Sequence, residues 1–321
     1  MEPANPYLYR LVCLFKRIGL LGRSLQLYRV VLGAKAESAI YIGEGESLAY
    51  LSNLHHGSSV SELSPIALSL LPSEIRRQRG KCLLYVEVNR LLSVLVPPGG
   101  FLTLPWVRQR VRLNGRDYRL RVPSIEGVYG RKVRRFGFCC QFTQDQGALK
   151  EFYYEFYRPY ILERFGGMAH LRSYSELAAG MQSGFLIKVL QKDQWISGVV
   201  CPRCGAEVKA LAFGLRGDYA DLLARGALSA TYYFLIRWAL EHSVEEVDLL
   251  RSRPHIRDGV FVHKHRFGAT PHLDSWPHSA IWIFPSQNAQ QTECARGLIV
   301  WHKGRPMPLD EACILNQGKR L

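Results

Sequence analysis

The sequence predicts an α+β protein in which helices pack on a mixed sheet. In its second half a strongly helical segment, three antiparallel strands, a second helix, a strand and further strands follow one another. Hydrophobic residues make up 47% and charged residues 21%, which is globular and too apolar for disorder. The 321 residues amount to roughly two domains and can bury a core without disulfide staples. The expected division is a basic amphipathic segment over 1–35, an α+β domain over 36–145 and a second domain over 146–321.

The first segment carries Arg10, Lys16, Arg17, Arg23, Arg29 and Lys35 against one acid, Glu2. Leu8, Leu11, Val12, Phe15 and Ile18 fall on one helical face, with Lys16 and Arg17 off it. Such a helix suits an anionic membrane surface, a nucleic acid, or simply the domain behind it. Strands are expected at Ile40–Ile42 and from Lys81 to Val88, and a loop at Pro97-Pro98-Gly99-Gly100. Val107 to Leu113 and Tyr118 to Val122 flank Asn114-Gly115, which reads as a hairpin. Alternation would put Arg108, Arg110 and Arg112 on one sheet face, either solvated or phosphate-contacting, with Arg119 and Arg121 alternating along the second strand. Arg131, Lys132, Arg134 and Arg135 extend the basic run.

Gln144 to Gly147 reads as a turn and a boundary between halves. Leu149, Phe152, Tyr153, Phe156, Tyr157, Tyr160 and Ile161 then recur at helical spacing, with Pro159 set to kink the helix or start another. Strands are expected over 185–190, 195–201 and 206–213, with turns at Lys192-Asp193 and Pro202-Arg203-Cys204-Gly205. A helix over 228–242, a strand over 246–250 and late strands over 281–284 and 298–301 complete the chain.

Charge and cysteine usage limit the function classes. Lys and Arg number 42 against 27 Asp and Glu, a net +15, which suits nucleic acid, an anionic membrane or a phosphate-rich donor. No apolar run approaches the ~18 residues of a membrane span, and Met1-Glu2-Pro3 opens no cleavable signal. Eight irregularly spaced cysteines read as reduced thiols in the cytoplasm.

Three segments carry the most specific signal: Tyr232-Tyr233-Phe234-Leu235-Ile236-Arg237-Trp238-Ala239, Val247-Asp248-Leu249-Leu250-Arg251-Ser252-Arg253, and Lys264-His265-Arg266-Phe267-Gly268-Ala269. In that order they resemble the Fem-type branch of the GNAT-fold acyltransferases, over about residues 147–285. The resemblance implies a GNAT-like mixed sheet flanked by helices, with residues 36–145 as a degenerate first GNAT-like half. It implies an N-acyltransferase that moves an acyl or aminoacyl group to an amine. Its donor would be acyl-CoA or aminoacyl-tRNA, with no permanently bound cofactor. Its acceptor would be a small molecule, peptide or cell-envelope precursor, reached from the cytoplasm or the inner membrane face.

The chain departs from the acyl-CoA pattern: Arg216-Gly217 and Arg225-Gly226-Ala227 are fragments of a phosphate loop, and His263 stands where an aromatic residue commonly precedes the lysine. On this pattern Lys264 would stabilise negative charge, and His263 or His265 would accept a proton. Arg251, Ser252, Arg253, Arg266 and Gly268 would bind the donor or its phosphates. The rival class is a non-catalytic basic module for RNA or a membrane surface.

The histidine cluster reads as the source of one proton acceptor rather than as a metal site, and two further clusters read as structural. His255, His263, His265, His272 and His278 lie close in sequence, and His263-x-His265 would share a strand face, but no HExxH or repeated Cys/His spacing accompanies them. Cys201-Pro202-Arg203-Cys204-Gly205 looks like half a zinc knuckle or a redox pair but reads as a turn, and His55-His56-Gly57-Ser58-Ser59 lacks a nucleophile elbow. No metal site is expected.

Overall fold

A computed structural model describes residues 25–32, 37–43, 45, 47–55, 60–114, 118, 123–166, 171–217, 219–273, 279–286 and 293–317. The amphipathic helix expected over 8–18 lies outside them. The chain forms two compact units, one of residues 1–107, 252–262 and 271–321, the other of 108–251 and 263–270. The turn at Gln144–Gly147 is therefore internal to the second unit, where Asp145 caps a helix by accepting from the Ala148 N–H at 2.6 Å.

The strands in chain order are β1 (Leu25–Leu32), β2 (Glu37–Gly43), β3 (Val60–Ile66), β4 (Leu83–Asn89), β5 (Phe101–Thr103), β6 (Val107–Arg112), β7 (Phe138–Thr143) and β8 (Gly184–Gln191). They continue as β9 (Gln194–Cys204), β10 (Glu207–Lys209), β11 (Ala212–Leu215), β12 (Glu246–Ser252), β13 (Thr270–His272), β14 (Ser279–Phe284), β15 (Ile299–His302) and β16 (Arg305–Pro308).

The first unit holds a mixed sheet in the order β16-β15-β5-β14-β4-β2-β1-β3, in which β2 and β4 run parallel. Alternation on these central strands feeds two cores. Ala39, Tyr41, Leu83 and Tyr85 join Leu51, Leu309 and Ala312 on one face, while Ile40, Ile42, Leu84 and Val86 join Leu71 and Ile75 on the other. Burial on both faces explains why Cys82–Val86 reads as an unbroken apolar run.

The second unit holds the order β13-β6-β12-β10-β9-β8-β7, with β11 paired to β9. Strands β7, β8 and β9 are antiparallel, and β10 and β12 are parallel. Lys192 and Asp193, at φ 48° and 61°, make the tight β8–β9 turn. One face packs Ile187, Val199 and Cys201 on the helix Ala227–Glu241, and the other packs Leu186, Val200 and Ala212 on Phe152, Phe156 and Leu177. Each unit is thus a mixed sheet flanked by helices.

Three expectations need correction. Among the described residues β6 has β12 and β13 on its two edges and Tyr118 is helical, so neither edge is left for the hairpin expected at Asn114-Gly115; residues 115–117 and 119–122 lie outside the described residues. The arginines of β6 decide this: Arg108 lies 2.6 Å from Asp248, and Arg110 and Arg112 lie 2.7 and 3.5 Å from Glu246, all on β12. Opposite charges across the two strands outweigh the local turn signal, and they also occupy the arginines read as phosphate contacts. The strand expected over 206–213 is two strands. Ala210 donates to Asp248 O, whereas Leu211 turns back to donate to Val200 O, so β10 serves β12 and β11 serves only β9. Third, β9 runs through Cys204, leaving Gly205 and Ala206 as the turn.

The helix after Asp145 continues through a π-turn, Phe152–Tyr157, into Arg158–Phe165. The wide i→i+5 turn sits just ahead of Pro159, whose missing N–H and ring would clash with a regular helix.

Candidate functional site

Past the Ala210–Asp248 bond β11 and β12 are no longer joined, and the candidate site is built from Phe213 of β11 and the residues packed on it. Tyr232, on the helix Ala227–Glu241, stacks on Phe213 of β11 with ring centroids 4.3 Å apart. It meets His263 edge to face at 4.8 Å and Phe267 at 5.3 Å. Phe267 in turn stacks on Tyr129 at 4.3 Å. His263 therefore stands in an aromatic setting, and its Nε2 is buried without a hydrogen-bond partner among the described residues.

His263, Lys264, His265 and Arg266 lie on a helix, Gly259–Arg266, and not on a strand or in a turn. At about 100° per residue, positions two apart face nearly opposite ways. His263 turns toward Tyr232, while His265 is exposed, its Nδ1 3.1 Å from Ala269 O. The expectation that both share one face fails for that reason.

Lys264 is also placed differently from expectation. It is 4% exposed, and its ammonium donates to Arg251 O at 2.8 Å. The lysine ties its helix to β12, so it acts on position rather than as an open point charge. Gly268, at φ +87°, closes the helix: Phe267 and Ala269 both donate to Lys264 O. Arg251 and Arg266 are exposed in this unit. Ser252 and Arg253 belong to the first unit.

Four cations act on the His263 ring, from three parts of the chain: Arg164, Lys132, and Lys264 and Arg266 on its own helix. Burial first, and these charges second, hold its imidazole down at about 4, so it is neutral at pH 7. Burial likewise raises Tyr232 above the ordinary phenol range, so its hydroxyl stays protonated. Lys132 also reaches the start of the helix Ala227–Glu241, where a Cβ on Gly226 would lie 3.6 Å from Lys132 Cδ. Gly226 is left-handed at φ +90° and supplies no side-chain cap, leaving the first N–H groups of that helix for an outside acceptor. Sequence reasoning named Tyr232 only within the segment that carries the resemblance, and named neither Lys132 nor Arg164 as a site residue. The available signals were a Tyr pair in an aliphatic helix and the basic run at 131–135.

Other candidates do not converge. Cys201 is buried and Cys204 exposed, on opposite sides of β9, so they cannot share one ion. Among the described residues no group of three His, Cys, Asp or Glu could hold a metal. His255 is buried in the first unit, its Nδ1 accepting from the Arg257 N–H at 3.0 Å. His278 and residues 56–59 lie outside the described residues. No helix among the described residues is long and apolar enough to cross a membrane.

No family model and no curated protein matches the chain. Among solved structures it is similar to FemX, at 14% identity and TM-score 0.41, over 81% of this chain and 85% of that one. It is similar to the C-terminal domain of a protein assigned as lysylphosphatidylglycerol synthetase from Agrobacterium fabrum, at 11% identity and TM-score 0.40, covering 93% of this chain and 88% of that one. It is also similar to L-PGS from Bacillus licheniformis, at 10% identity and TM-score 0.37, over 88% and 93%.

Proposed function

We propose that the second unit transfers an acyl or aminoacyl group from a phosphate-bearing donor to an amine, as an N-acyltransferase of the Fem type. The observation that carries this reading is His263: a neutral imidazole with an unengaged Nε2, under the field of four cations from three segments. Lys132, Arg164 and Arg266, with the open helix start at Gly226, suit the phosphates of coenzyme A or of tRNA. Occupation by phosphate would cancel the repulsion that depresses His263 and bring its basicity toward the working pH.

The amine nitrogen would then attack the carbonyl carbon, its proton passing to His263 Nε2. The ester C–O or thioester C–S bond breaks as the amide C–N bond forms, and the leaving oxygen or sulfur takes up the proton. The Tyr232 ring packs edge to face on His263, and its hydroxyl stays protonated. Lys264, through Arg251 O, is a positioning residue for the helix that carries His263. On this reading the enzyme works in the cytoplasm, or at the inner membrane face when its acceptor is a cell-envelope precursor.

The experiment offers purified protein an acyl-CoA and an aminoacyl-tRNA, each with a panel of amines, and follows donor consumption. His263→Gln should lower turnover by on the order of 10²-fold or more, the scale of lost general-base catalysis, in protein that a melting curve shows to be folded at the assay temperature. Steep loss of binding with salt identifies tRNA, because many phosphates release counterions. Salt-dependent binding of RNA or anionic vesicles with no donor consumed would favour the basic binding module instead.

A further inference from the structure

In the first unit, Arg253 is held in a way that ion pairing does not explain. Its guanidinium carbon lies 3.7 Å from the Trp106 ring centroid and 4.5 Å from that of Tyr50. One Nη donates to Pro105 O at 3.0 Å. No carboxylate of the described residues pairs with it. Asp258 and Glu87 act on it only from a distance, and both are engaged elsewhere. Asp258 accepts from the Phe261 N–H at 2.8 Å, and Glu87 accepts from Ser47 N, Ser47 Oγ and Ser279 Oγ at 2.9, 2.7 and 3.0 Å and from the Tyr41 hydroxyl.

Beside the guanidinium, the Tyr50 hydroxyl is buried without a hydrogen-bond partner among the described residues. Burial keeps that phenol protonated and holds Arg253 below its ordinary value. A desolvated cation with open N–H groups next to an orphan O–H is costly unless something accepts from both. Trp106 is 44% exposed, so the group has a side open to solvent.

We propose that Arg253, Tyr50 and Trp106 form a binding site for a singly charged oxyanion with two equivalent oxygens, a carboxylate or a phosphodiester. The guanidinium fork matches two oxygens in one plane, and the Tyr50 hydroxyl supplies a further donor. The field of Asp258 and Glu87 disfavours a second negative charge. The indole offers an apolar wall to whatever carries the anion. This site is argued independently of the His263 centre, and either can stand without the other.

The test titrates the full chain with phenylacetate, dimethyl phosphate and inorganic phosphate, reading the Trp106 indole N–H by NMR, assigned with Trp106→Phe. A saturable shift with either singly charged probe is expected, and the better of the two identifies the ligand as carboxylate or phosphodiester. Arg253→Lys should weaken that binding at least tenfold and Tyr50→Phe severalfold. Tyr50→Phe should melt at or above the wild-type temperature, because it removes an unsatisfied hydroxyl. Absence of saturation with both probes, tighter binding of inorganic phosphate, unchanged affinity in both variants, or a lower melting temperature for Tyr50→Phe would each overturn the proposal.

Discussion

The Lys264 ammonium donates to the Arg251 carbonyl oxygen at 2.8 Å, bridging the helix Gly259–Arg266 to β12 beyond the point where β10 leaves it. A buried charge used in this way belongs to the architecture. Lys264→Met, which keeps most of the stem, should lower stability by about 1.5–3 kcal/mol, the scale of a hydrogen bond to a charged group. Lys264→Ala should cost more, through the lost packing of the stem. Urea unfolding checks both, and a wild-type midpoint for Lys264→Met would remove the tie.

His263 sets a pH window. Its folded-state value, about 4, lies below the ordinary 6.5, so between those values the unfolded chain binds the proton first. The neutral imidazole therefore contributes stability fully above pH 6.5, and that contribution falls away as pH drops toward 4. His263→Phe should reduce the slope of stability against pH in that window by up to about 1.4 kcal/mol per unit. His255 is lowered in the same direction by burial, so the double variant should flatten the curve further.

The cation ring makes a spectroscopic prediction. Lys132→Ala and Arg164→Ala each remove a charge that opposes protonation of His263. NMR titration of the His263 ring should move upward in both variants, and most in the pair. Lys132 is exposed, so its removal should leave the melting temperature nearly unchanged. A His263 titration insensitive to both changes would separate the histidine from the proposed phosphate site.

Asp248 is fully buried, lies 2.6 Å from Arg108 and accepts from the Leu250 N–H at 2.8 Å. Asp248→Ala should cost about 3–5 kcal/mol, because it leaves the Arg108 charge uncompensated in a mostly buried place. Asp248→Ala with Arg108→Leu should recover a large share of that loss. Denaturant midpoints of the two single variants and the double variant measure the coupling directly.

Most elements could be read locally. The stripe from Leu149 to Ile161, the run from Cys82 to Val88 and the Lys192-Asp193 turn each follow from residue spacing, and all three occur as expected. The failures share a cause. Asn114-Gly115 is a strong local turn signal, overridden by acids on β12 more than 130 residues away in sequence. The alternating arginines of β6 looked like an anion-binding face because nothing nearby in sequence announces Glu246 and Asp248 as their partners.

The sequence by itself determined the α+β class, the periodic elements and the concentration of basic residues, because hydrophobic period and formal charge are properties of neighbouring residues. It also singled out the segment containing His263 and Lys264. Only the tertiary structure decided where each of them is placed. Helical backbone over Gly259–Arg266 turns His263 toward Tyr232 and His265 to solvent, and burial against β12 makes Lys264 a tie. The Arg253 group was decided in the same way, since Tyr50 and Trp106 meet that guanidinium across about 200 and 150 residues of chain. Solvent exposure and partner identity are set by such long-range contacts, and those two quantities turn a charged side chain into a strut, a base or a binding group.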